Sequence, residues 1–168
     1  YINPQDARAI PSSDLSDATL MVAIKREDII SPAIIDNKVE GENMVLEKKT
    51  GGNFRYSNNV HRGWSNNMQI LWSDLKPNDT LSLSFVSDNE RRSDIAIKFS
   101  KGGRYGAFSP SINQCDYIII DASAEQDTIG EHTLKNVAIN KGKNILRIVY
   151  LKPEDKNQVG IDCIELSD

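Results

Sequence analysis

Trp64 stands in the stretch R-G-W-S-N-N-M-Q-I-L-W, which runs from Arg62 to Trp72, just ahead of the side-chain amides of Asn66 and Asn67. A flat indole beside groups that both donate and accept hydrogen bonds suits one kind of chemistry. The ring would cover the C–H face of a pyranose while the amides meet its hydroxyls. The same residues serve a structural purpose equally well, with the ring capping the end of a β-structure and the asparagines holding the turn. Both readings stand at this level.

Bond-making chemistry leaves fewer traces. The chain has no G-x-S-x-G elbow, no H-E-x-x-H pair and no G-x-x-x-x-G-K-[ST] phosphate loop. Its two histidines, His61 and His132, lie in different segments, and its two cysteines, Cys115 and Cys163, form no C-x-x-C. The thiols are read as buried and free in preference to a disulfide, which would suit an oxidising compartment. Many carboxylate pairs are possible among 24 acidic residues, and none is marked out by its setting. No catalytic residue is predicted.

The elements that position these groups are strands. Residues 80–86 (T-L-S-L-S-F-V) alternate with period two and set Leu81, Leu83 and Phe85 on one face; Ile95, Ile97 and Phe99 repeat the pattern. In residues 68–72, Met68, Ile70 and Trp72 share a core face, opposite Asn67, Gln69 and Leu71. Residues 145–151 are apolar on both faces, as a central strand requires. Further runs cover 39–47, 105–112, 117–121, 131–139 and 160–166, separated by Gly, Asn and Pro turns; residues 48–62 read as a loop. Eight or nine strands without a helical period predict an all-β sandwich or barrel. Residues 1–38 read as an irregular, Pro- and Ser-containing N-terminal extension with one candidate strand at 19–24, ahead of a domain at 39–168.

With 168 residues the chain has one domain's worth of length. Its 20 basic and 24 acidic residues sum to −4, which argues against a nucleic-acid partner. No apolar run approaches the ~20 residues of a membrane helix. No charged-then-apolar leader follows Tyr1, as expected where a signal peptide is absent or already removed.

The order V-E-G-E-N-M, a Gly/Asn loop, W-S-N-N-M-Q-I-L-W, K-P-N-D-T-L-S-L-S-F, I-K-F-S-K-G-G-R-Y-G, G-K-N-I-L-R-I-V-Y and G-I-D-C-I-E-L resembles a jelly-roll module across residues 39–166. It is similar to the carbohydrate-binding modules of families 6 and 35, accessory domains of bacterial polysaccharide-degrading enzymes. The resemblance implies a secreted, periplasmic or cell-surface setting, a glycan or polysaccharide partner and a catalytic domain in the same protein. It also implies a structural calcium ion where the first and last strands meet, held by Glu40 and Glu42 of the E-x-E pattern and by Asp162. Two residues apart on a strand, the glutamates would project to one side, and carboxylate oxygens suit Ca²⁺. The implied ligand contacts are Tyr56, Trp64, Asn66 and Asn67, then Tyr105 after the Gly corner, and Asn157 before the last strand. The loop Lys152-Pro153-Glu154-Asp155-Lys156 departs from the pattern in being more charged than a neutral-sugar loop. The alternative is a structural accessory sandwich without its own ligand, packing on a catalytic glycoside hydrolase domain or mediating oligomerisation.

Overall fold

Alternating apolar side chains need a second layer to bury them, and here two antiparallel sheets provide it. The computed structural model of the chain describes residues 32–114, 118–152 and 154–167. The candidate strand at 19–24 and Cys115 lie outside the described residues.

Eleven strands are present among the described residues: β1 (Lys38–Glu40), β2 (Val45–Lys49), β3 (Asn53–Asn58), β4 (Met68–Ser73), β5 (Thr80–Ser87), β6 (Arg91–Lys101), β7 (Ala107–Ile112), β8 (Ile120–Asp121), β9 (Thr128–Ile139), β10 (Gly142–Lys152) and β11 (Gln158–Ser167). One sheet runs β3-β4-β11-β6-β9, with β1 also on β11; the other runs β2-β5-β10-β7-β8. The predicted all-β jelly-roll sandwich is what the chain adopts. No described helix is long and apolar enough to cross a membrane.

The core lies between the sheets. Leu81, Leu83 and Phe85 from one layer and Ile95, Ile97 and Phe99 from the other are all buried. Phe99 of β6 meets Phe108 of β7 edge to face, with centroids 5.5 Å apart, and so ties the layers together. Each such side chain contributes about 1.5–3 kcal/mol on leaving water. Strand β10 is central, as its composition requires, with Leu146, Ile148 and Tyr150 fully buried.

Three expectations need correction. The run at 39–47 is not one strand: after β1 the chain tightens into a 3-10 turn at Gly41–Asn43, then crosses to the other sheet as β2. Met44, 1% exposed, fills the gap at the crossing. The loop at 48–62 contains β3, which pairs with β4 from Asn53↔Ser73 to Asn58↔Met68. As an edge strand it needs only one apolar face, and Phe54 and Tyr56 supply it among polar neighbours. Finally, eleven strands exceed the eight or nine expected, because the run at 39–47 divides into β1 and β2 and the loop at 48–62 contributes β3.

The ends of β11 are where distant segments converge. Strands β4 and β1 share one edge of β11, β4 pairing with residues 158–161 and β1 with residues 163–165. On its other edge β11 pairs with β6 through a bulge between Ile161 and Cys163. Residues 104–106 lie beside Gln158, because Gly106 N–H donates to the Gln158 carbonyl and Gln158 N–H to that of Arg104.

Candidate functional site

Glycine at position 41 brings the two ends of the sandwich sequence together. A methyl group there would come within 2.6 Å of the Ile161 carbonyl oxygen and 2.7 Å of that of Asp162. Only a bare Cα lets the chain press so closely on β11. Glu40 ends β1 on one side of this contact, and Asp162 sits at the β11 bulge. Donor atoms of Glu40, Asp162 and Cys163 lie within 4.8 Å of one another, a group able to hold a metal ion. Glu42 is 6% exposed on the 3-10 turn, so strand alternation does not place it as expected. Its charge nevertheless acts on Asp162.

The electrostatics of this group follow from burial. Loss of water pushes the Asp162 carboxyl up to about 6; the Ser65 N–H opposes the rise, and the neighbouring Glu40 and Glu42 carboxylates add to it. Burial, with Asp162 beside it, pushes the Cys163 thiol up to about 12. In the metal-free protein the Cys163 thiol is therefore a poor nucleophile.

The oxygens are unevenly used. Asp162 Oδ1 accepts the Ser65 N–H at 2.8 Å, and Glu40 Oε1 accepts the Ser65 hydroxyl at 2.7 Å and the Lys38 ammonium at 2.8 Å. Lys38 also donates to Ser65 Oγ. Glu40 Oε2 is buried without a hydrogen-bond partner among the described residues. The Glu40 and Asp162 carboxylates thus meet beside the Lys38 ammonium, with an oxygen that has no partner among the described residues. That donor set fits a hard divalent cation, which takes carboxylate oxygens. A pocket of about 350 Å³ adjoins the group, lined by Lys38, Lys98, Ile129 and Cys163 among others.

Trp64 does not stand out in solvent. It is 8% exposed, and its Nε1–H donates to Ser100 Oγ at 2.9 Å. The cause is the loop's backbone: Gly63, Asn66 and Asn67 all take positive φ (73°, 48° and 57°), folding residues 59–67 back onto the sheet. Asparagine tolerates that conformation better than most residues. Asn66 and Asn67 are exposed, and the Asn67 backbone closes the turn by donating to the Trp64 carbonyl. The ring expected as a platform is a buried anchor.

From Trp64 the hydrogen bonds continue inward. Ser100 Oγ donates to Gln69 Oε1 at 2.6 Å, and Gln69 Nε2 donates to the Tyr105 hydroxyl at 3.3 Å. Tyr105 is half-buried beside Gly160, where a methyl group would touch its ring at 3.0 Å. It bridges to Gln158, so Asn157 lies on the adjoining segment. Asn157 is half-exposed, and its carbonyl accepts the Leu75 N–H. Tyr56 sits apart on β3, paired opposite Ile70 and packed edge to face on Phe54 at 5.4 Å. The predicted residues therefore fall into separate groups: Glu40 with Asp162, Glu42 near enough for its charge to act on Asp162, Tyr105 on the segment beside that of Asn157, Trp64 beneath its loop, and Tyr56 at the core's edge.

Sequence reasoning missed Ser65, Lys38, Gln69 and Ser100. Gln69 was legible as lying on the face away from the core, but nothing local marks it as buried under a folded loop. His61 and His132 are both exposed.

No family model and no curated protein matches the sequence. Solved structures do. The xanthan lyase of Paenibacillus superposes with a TM-score of 0.69 at 17% identity, over 82% of this chain and 14% of that one. A family 35 carbohydrate-binding module from an environmental isolate superposes with a TM-score of 0.54 at 15% identity, over 78% and 92%. A family 36 module of a multidomain xylanase from the hindgut metagenome of Trinervitermes trinervoides gives 0.52 at 17% identity, over 78% and 95%. At these identities the likeness is one of fold: the chain has the jelly-roll architecture of carbohydrate-binding modules.

Proposed function

We propose that the chain is a non-catalytic carbohydrate-binding module of an exported glycan-processing protein, with a structural calcium ion. The observation that carries the reading is the bridge between half-exposed Tyr105 and Gln158, which brings the segment of Asn157 alongside. The half-exposed Tyr105 ring offers a surface for a sugar's C–H face. The Asn157 side-chain amide makes no hydrogen bond with the described residues and so keeps its donors and acceptor for hydroxyls. Asn66 and Asn67, exposed on the neighbouring loop, would extend the contact. Such solvent-facing contacts give affinities of about −4 to −8 kcal/mol, and tethering to a catalytic domain raises the local concentration of the glycan. Glu40, Glu42 and Asp162 would hold the calcium ion, which when bound supplies a fixed positive charge against their buried carboxylates.

A glycan array with the intact chain, followed by calorimetry of Tyr105→Ala and Asn157→Ala, tests this. Binding that both variants weaken supports it; an array blank for every glycan ends it. One observation favours the alternative, a structural accessory domain packed on a catalytic partner: Trp64 is spent on packing. A blank array together with saturable binding to a purified companion domain would establish that role.

A further inference from the structure

The Glu40 and Asp162 carboxylates each face two ways. Their first oxygens, Glu40 Oε1 and Asp162 Oδ1, hold the hydroxyl and the backbone N–H of the same residue, Ser65. Their second oxygens point elsewhere: among the described residues Glu40 Oε2 is buried with no hydrogen-bond partner, and Asp162 Oδ2 has only the weak Cys163 S–H at 3.9 Å. Ser65 lies in the 59–67 loop between buried Trp64 and exposed Asn66 and Asn67, so whatever fixes these carboxylates also fixes the loop.

We infer that Ser65 couples cation binding to closure of the 59–67 loop, the two carboxylates presenting one oxygen to the ion and the other to Ser65. The inference rests on the proposed calcium site. A cation held at the second oxygens keeps both carboxylates in the one orientation that meets Ser65. Bonds from Ser65 to ionised oxygens are the charge-assisted kind, stronger than neutral ones. Linkage makes the effect reciprocal, so a loop latched by Ser65 tightens cation binding by the same factor. Lys38 serves the latch, since its ammonium contacts both Ser65 Oγ and Glu40 Oε1.

The test pairs calcium calorimetry with amide hydrogen exchange on the full chain. In the wild type, calcium should slow exchange in residues 59–67 by about tenfold, one charge-assisted hydrogen bond's worth. Ser65→Ala should lose most of that slowing and bind calcium more weakly by a similar factor, while Ser65→Thr, which keeps the hydroxyl, restores both. If calcium binds but loop exchange is unchanged, or if Ser65→Ala behaves as wild type, the coupling is wrong and the calcium reading stands. If calorimetry detects no calcium binding, both fall.

Discussion

The indole N–H of Trp64 donates to the hydroxyl of Ser100, 36 positions away in sequence, and the Ser100 hydroxyl in turn donates to the Gln69 side-chain oxygen. A buried indole without an acceptor would leave a polar group stranded, so this bond is what allows the loop to lie on the sheet. Trp64→Ala should therefore cost about 3–5 kcal/mol of stability. Trp64→Phe, which retains a ring but not the donor, should cost less. Urea denaturation measures both; a Trp64→Ala midpoint close to wild type would refute the anchoring role.

Gly41 is pressed against the Ile161 and Asp162 carbonyls, and backbone oxygens cannot swing aside as a flexible side chain does. Gly41→Ala should lose about 1–3 kcal/mol through overpacking. It should also weaken calcium binding, because the contact sets Glu40 against Asp162. Thermal denaturation with and without calcium reads both effects.

The Asp162 carboxyl, raised from an ordinary 3.8 to about 6, gives a pH signature in the metal-free protein. A folded-state pKa above the unfolded one means that the native state binds the extra proton between those values. Asp162's contribution to stability is thus fullest below pH 3.8 and is lost as pH rises through about 6. Asp162→Asn keeps the acceptor for Ser65 and removes the charge. At pH 7 and without metal it should be more stable than wild type by on the order of 2 kcal/mol. That advantage should shrink towards zero at pH 4. An advantage independent of pH would show that the burial of charge is not its source.

Calcium that binds the native state alone stabilises it by mass action, by about 2.7 kcal/mol at one hundred times the dissociation constant. Excess chelator should lower the wild-type Tm, and Glu42→Gln should lose most of the response. A Tm indifferent to both chelator and added calcium would remove the ion from this site.

The core was legible in the sequence, and the loop was not. Leu81, Leu83 and Phe85, like Ile95, Ile97 and Phe99, announce their faces because strand geometry sends every second side chain the same way, a purely local rule. The sequence by itself also determined the all-β class. Tertiary structure decided the rest. Nothing near Trp64 specifies whether its loop folds inward or reaches out; that depends on an acceptor at Ser100 and on carboxylates from β1 and β11 that meet Ser65. Strand β3 and the split of residues 39–47 between sheets depend likewise on distant pairing partners. Short-range periodicity records which side of a strand is apolar, whereas burial of a loop is settled by groups far apart in the chain that only folding brings within hydrogen-bonding reach.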